Sequence, residues 1–241
     1  DPTLAGLARD ISRFAKYRLN PYVLRQPGVL PDADPGAPKE AGIPWLGYEG
    51  DNLASLLYFL QESKSDRLEQ IKAAIRKVLP SFDNFVFNAV GAGRTGFSIR
   101  YADKRHIVPA ANLSDGTLIL IGLLGLVHTP NRPPVLCLEE PENGLNPPAI
   151  RAIYSALRDA ATTSEQTGSQ IIFSSHSPLV VTEAWNGSDR EFLYQLQTDT
   201  DGAAVIVPMK DLLADYQLGK NRDGRDRLSY GHACEILAGN R

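Results

Sequence analysis

Cysteine is scarce in this sequence, with only Cys137 and Cys234 among 241 residues. They form no CxxC and no Cys/His cluster, so neither a disulfide framework nor a zinc site is indicated, and a reducing, cytoplasmic setting fits. Long apolar runs are missing too. None approaches the ~18 residues that span a bilayer, so no membrane association is expected. There is no excess of positive charge: 25 Lys and Arg stand against 28 Asp and Glu, a formal net charge of -3. Nucleic-acid binding is therefore not indicated by bulk charge, although a local patch stays open. The start, Asp1-Pro2-Thr3, has no initiator Met, no charged n-region and no apolar h-region. It is not a secretory signal, and the chain is expected to begin inside a longer gene product. What remains is an ordinary globular composition, 43% hydrophobic and 22% charged, on a length able to bury one sizeable core.

Leu4, Leu7, Ala8, Ile11, Phe14 and Ala15 fall at helical spacing and predict a helix over roughly residues 3–18. Residues 26–44, with Pro27, Pro31, Pro35, Pro38 and Pro44, read as an irregular loop. Leu53, Leu56, Leu57 and Leu60 predict a second helix, and Leu68 to Leu79 a third, stopped by Pro80. Phe85 to Phe87, Phe97 to Tyr101 and His106 to Val108 read as short strands joined at glycines. From residue 113 the pattern turns α/β. A helix capped by Ser114 runs to about 128, and the apolar run Val135 to Leu138 is a buried strand. A helix begins at Pro147, Ile171 to Phe173 is another buried strand, and a helix follows Ser177-Pro178. A hairpin near 191–207 and a helical tail with a basic, glycine-containing loop complete the chain.

Three places carry chemistry. Glu139 and Glu140 stand at the C-terminal end of the strand Val135 to Leu138, the end at which open α/β sheets bind ligands. One carboxylate can hold Mg2+, directly or through water, and the next can polarise an attacking water. His176 stands at the end of the following strand, within reach of a phosphate or that water. Leu113-Ser114-Asp115-Gly116-Thr117 opens a helix, where hydroxyl, glycine and free amides make an anion site. Each also has a bland reading: a solvated acidic turn, a structural loop histidine, an ordinary Ser cap. Cys137 reads as core packing.

Taken together, in this order, LSDGT, CLEEPENGLNP and SSHSP resemble the second half of an ABC-type ATPase head. The wording is most similar to the RecF/SMC-like branch of AAA ATPases, which includes the ATPase parts of OLD-type and other phage-defence proteins. The likeness is specific over 112–180 and weaker at Gly50-Asp51-Asn52-Leu53-Ala54. It implies an α/β, P-loop NTPase-like fold, a mainly parallel sheet flanked by helices, with an inserted helical region. The implied organisation is a helical insert with a Pro-rich loop over 1–81, a short β segment over 82–111 and the C-terminal lobe of the head over 112–241. It further implies ATP and Mg2+ as cofactors, Glu139 as metal residue, and Glu140 and His176 as catalytic residues. Ser114, Asp115 and Gly116 of a signature loop, with Asn146 of a D-loop, would meet nucleotide across a head-to-tail homodimer or higher oligomer. Three positions depart from the pattern: Glu139 where Asp is usual, Asp115 where transporters have Gly, and Asn146 where Asp or His is commoner.

A complete head also needs a GxxxxGK[ST] loop, and this sequence has none. The nearest segment, Gly91 to Ser98, has Phe97 in place of the lysine and runs into the alternation Phe97/Ile99/Tyr101, so it reads as a hairpin turn. The expectation is that the phosphate-binding loop lies N-terminal to this chain, and that the isolated chain binds ATP poorly. Asp199-Thr200-Asp201 matches a nuclease DxD but reads better as a turn, and Lys220 to Arg227 as a solvated loop, because Asp223 and Asp226 interrupt the basic residues. Three functions follow from the resemblance: an ATP-hydrolysing dimer that gates an effector such as a nuclease, a non-hydrolysing sensor or scaffold, and a DNA-repair-type ATPase. No long heptad run occurs in 1–110, so a coiled-coil arm is not expected, and the compact insert favours phage defence over repair.

Overall fold

The computed structural model describes residues 14–30, 45–91, 93–103, 105–129, 132–162, 169–214, 216 and 218–238. They divide into two compact units, one running to Ser174 and one from Ser175 onward.

In the first unit the centre is helix α4 (Asp115–His128), the sequence DGTLILIGLLGLVH. Every residue from Leu118 to Val127 is buried. A helix apolar all round has to be covered on all sides. The cover comes from α1 (Pro21–Leu24), α2 (Leu53–Glu62), α3 (Asp66–Val78) and α5 (Pro147–Thr162), all of which pack against it. Ser65 caps α3, accepting the Arg67 N–H. The helices expected from Leu53, Leu68, Ser114 and Pro147 are all present.

Beside this bundle lies a parallel sheet of β1 (Phe14–Tyr17), β6 (Val135–Glu139) and β7 (Gln170–Ser174), with β6 in the middle. The architecture is α/β, a parallel sheet flanked by helices. Two expectations are corrected here. Residues 14–17 are strand, not the end of a helix; the remainder of that expected helix, residues 3–13, lies outside the described residues, as do 31–44 of the Pro-rich loop. Within that loop Gly28–Val29 is a short strand, β2. Nor are the strands buried on both faces. Ala15, Tyr17, Leu136 and Leu138 are buried, whereas Phe14 and Ile172 are 50% and 51% exposed and Cys137 is half-buried. The physical reason is the strand period of two: one set of side chains meets the helices and the alternate set points away from them.

A second, antiparallel sheet holds β2, β3 (Phe82–Ala89), β4 (Arg94–Tyr101) and β5 (Ile107–Pro109). Phe82, Phe85 and Phe97 pack edge to face at 5.1 and 6.0 Å between ring centres. β3 and β4 pair as a hairpin, so the Gly91 segment is the turn that its alternation predicts.

The second unit has its own small core of Val181, Trp185, Met209, Leu213, Leu228, Ala233 and Ile236. These come from α6 (Pro178–Asn186), α7 (Met209–Leu212), α8 (Tyr230–Leu237) and the segments between. The β8 (Tyr194–Thr198) and β9 (Ala204–Pro208) hairpin turns at Asp199, whose Oδ1 accepts the N–H groups of Asp201 and Ala203. That contact makes the DxD a turn. Lys220 and Asp226 pair across the small β10 (Gly219–Lys220)–β11 (Asp226–Arg227) hairpin, an exposed loop as expected.

At the far end of α4 one guanidinium gathers loose ends. Arg132 donates from Nη1 to the Val127 carbonyl, from Nη2 to the Ala160 carbonyl at 3.0 Å and from Nε to Ser169 Oγ at 3.0 Å. It satisfies acceptors that a helix terminus leaves open. Arg132→Met is expected to cost about 2 kcal/mol or more, the scale of hydrogen bonds to a charged donor, and to lower Tm; an unchanged Tm would show that water replaces the guanidinium freely. His128 sits beside it. Burial, with Arg132 and Arg67 adjacent, lowers its pKa from 6.5 to about 4. Between these two values an unfolded chain takes a proton that the native chain refuses, so stability is full above pH 6.5 and declines as pH falls toward 4. Urea unfolding at pH 7.5 and pH 5 should record that loss, and His128→Gln should shrink it. Equal losses in both proteins would clear His128 of the effect.

Candidate functional site

Both sheet and bundle deliver polar groups to one place, the C-terminal ends of β1 and β6 and the N-terminal end of α4. A cavity of about 280 Å3 opens there, lined among others by Arg18, Asp115, Glu139, Glu140, Asn143 and Gly144.

Glu139 ends β6 and is exposed. Its partner is Lys16 of β1, whose Nζ lies 3.1 Å from Glu139 Oε2. Lys16, by hydrogen bond and charge, and then the Arg18 charge hold the carboxyl below the usual range. Glu139 is therefore ionised at neutral pH, as a metal ligand must be.

Glu140 follows in a left-handed backbone conformation, φ 44°. For a residue with a Cβ this is strained, at a cost of about 1–3 kcal/mol, and it persists only where neighbours over-determine it. Two hydrogen bonds do so: the Glu140 N–H donates to Ser174 Oγ of β7 at 3.3 Å, and its carbonyl accepts from Asn143 N at 2.9 Å. The bend turns consecutive carboxylates out of strand alternation and starts the turn toward α5. That turn passes Gly144 and reaches Asn146, whose Oδ1 caps α5 by accepting the Ala149 N–H at 3.0 Å. Asn146 thus has a structural task beside any role at a partner surface.

The loop before α4 meets the same turn. Ser114 caps the helix, accepting the Thr117 N–H at 3.3 Å and exchanging a 2.8 Å contact with the Thr117 hydroxyl. The ordinary-cap reading of Ser114 is therefore true as geometry. Asp115 is tied to Arg25 Nη2 at 2.6 Å, which neutralises a carboxylate at a helix start that would otherwise repel anions. Gly116 lies so close to the turn that a Cβ there would stand 2.5 Å from the Gly144 carbonyl oxygen.

Tyr17, at the cavity's edge, is buried and donates its hydroxyl to the Leu46 carbonyl at 3.0 Å; burial and Tyr48 push its pKa well up. Asn52 pins the same segment, accepting from Gly47 N at 2.7 Å and donating to the Trp45 carbonyl at 2.8 Å.

The structure thus gathers Glu139, Glu140 and Asp115 around one cavity, with Ser114 and Gly116 adjoining them in sequence. His176 belongs to the second unit, two residues beyond the last residue of β7 in sequence, and is exposed. Lys16, Arg18, Arg25 and Ser174 were not singled out by sequence reasoning. The first two were hidden by the helical spacing that ends at Ala15; only the strand alternation Phe14/Lys16 against Ala15/Tyr17 could have flagged them.

The two glycines of the contact serve different ends, which substitution can separate. Gly116→Ala should collide with backbone and cost about 1–3 kcal/mol. Gly144, at φ 78°, has nothing within 4 Å of a built Cβ, so Gly144→Ala pays only the left-handed penalty of about 1–2 kcal/mol. Gly144→Asn should recover part of that loss, whereas Gly116→Ser should recover none; denaturant midpoints giving the reverse order would contradict the packing assigned here.

No curated protein matches the chain. Residues 8–182 match a family described as "AAA domain, putative AbiEii toxin, Type IV TA system". That span takes in both parallel-strand ends, the α4 loop and His176, and the chain belongs to this family of AAA-type ATPase domains.

Proposed function

We propose that this chain is the part of an ABC-type, RecF/SMC-like head that hydrolyses ATP at a dimer interface, and that the nucleotide state gates a partner effector, with phage defence as the setting. One observation carries the reading: two adjacent carboxylates, Glu139 and Glu140, stand at a parallel-strand end and line a cavity of about 280 Å3.

Residue roles follow from position. Glu139, ionised and at the strand end, suits Mg2+, which takes one or two carboxylates and fills its shell from phosphate oxygens and water. Mg2+ when bound supplies neutralisation of phosphoryl charge. Glu140, turned aside by its backbone, orients a water and accepts its proton. His176 steadies the phosphoryl group. Ser114, Asp115 and Gly116 present the α4 amides to nucleotide held by a second copy, and Arg25 keeps Asp115 from repelling it. Asn146 and the turn around Gly144 face that copy. The catalytic work is positioning and electrostatics.

A second reading, a nucleotide sensor without turnover, is favoured by Glu139 and Asp115 standing where ABC heads usually have Asp and Gly. Phosphate release from ATP by the complete gene product carrying this chain separates the two. Glu140→Gln should slow release by about 100- to 10,000-fold while leaving an ATP-bound dimer. Normal turnover in that variant would remove Glu140 from the mechanism, and absence of turnover in the native protein would favour the sensor.

A further inference from the structure

Lys16 belongs to no motif, yet it holds the carboxylate on which the metal site depends. In the parallel register Lys16 lies opposite Cys137, and Glu139 is two residues further along β6, on the same face. The lysine chain reaches diagonally toward the strand end and brings Nζ to 3.1 Å from Glu139 Oε2. We propose that Lys16 is the resident counter-ion of Glu139: its ammonium stands where a divalent cation would bind, and the cation enters by displacing it. The inference rests on the reading of Glu139 as the metal carboxylate.

Three physical points support the exchange. First, the pair is exposed, 72% at Lys16 and 42% at Glu139. Such exposed pairs are weak, so the lysine is easily released. Second, Mg2+ binds oxygen at about 2.0–2.1 Å with twice the charge of an ammonium, so exchange is favourable once the cation is present. Third, an ammonium beside the carboxylate repels an incoming divalent cation, so the two compete for Glu139. A released Lys16 stands one residue from Tyr17 and two from Arg18, both lining the cavity. It is then placed to meet the anionic oxygens of a polyphosphate that accompanies the metal.

Mn2+ is the probe, titrated without nucleotide and followed by the electron paramagnetic resonance signal of the free ion. The proteins are the full chain, Lys16→Gln, Lys16→Arg and Glu139→Gln, each checked by circular dichroism for an intact fold. Lys16→Gln is expected to bind Mn2+ about two- to fivefold tighter, the worth of a surface pair expressed as affinity. Lys16→Arg keeps the cation and should bind like the native chain, and Glu139→Gln should lose the site. Equal or weaker binding by Lys16→Gln overturns the exchange while leaving Glu139 a ligand. Unchanged binding by Glu139→Gln overturns it differently, by removing the metal role itself from the proposed function.

Discussion

Helix α4 has no face that water can wet, and the first unit is arranged around that constraint. Leu118 to Val127 are buried in an unbroken run, so the helix forms stably only when α1, α2, α3 and α5 enclose it together. Its two ends cannot be enclosed in the same way, because a helix leaves open N–H groups at its start and open carbonyls at its finish. Each end is therefore a place where polar chemistry enters an apolar core. At the finish, Arg132 closes the accounts of Val127 and Ala160 and the matter ends there. At the start, Ser114 caps the helix through Thr117, while Asp115 and Gly116 are drawn into contacts with Arg25 and the Gly144 turn. The asymmetry between a closed end and a connected end is what makes one of them a candidate site.

The α4 loop meets the turn that follows the carboxylates with backbone against backbone. Gly116 touches the Gly144 carbonyl with no side chain between them, and Gly144 belongs to the turn that Glu140 begins. Glu140 in turn is held in a strained conformation by a hydrogen bond from its N–H to Ser174 on the neighbouring strand. Close packing of this kind tends to have discrete arrangements instead of continuous give.

Much of this was legible in the sequence because apolar runs and polar punctuation report local structure directly. Val135 to Leu138 marked β6, Ser114 marked the start of α4, and Pro147 marked α5. The Phe97 alternation correctly demoted a phosphate-loop look-alike to a hairpin. What escaped was non-local. β1 is only four residues long, and Phe14 and Ala15 continue a helical spacing from Leu4, so the local signal pointed the wrong way until pairing with β6 decided it. The ion pair between Arg25 and Asp115 spans 90 positions of chain, and no spacing rule connects them. Exposure of Ile172 escaped as well, since an apolar run does not say how many of its faces a fold will cover.

The charge balance of the site is likewise invisible in a net charge of -3. Glu139, Glu140 and Asp115 place acids beside one cavity, an arrangement that would repel both a second acid and any phosphate. The cations set against Glu139 and Asp115 are Lys16, Arg18 and Arg25, all from the short stretch that runs from β1 to the end of α1. One segment therefore supplies the positive charge set against these acids, and it does so with exposed or partly exposed side chains whose pairs are weak enough to exchange. Weak pairing is the useful property. Tightly buried partners would lock the carboxylates and the cations together, whereas exposed pairs can exchange partners.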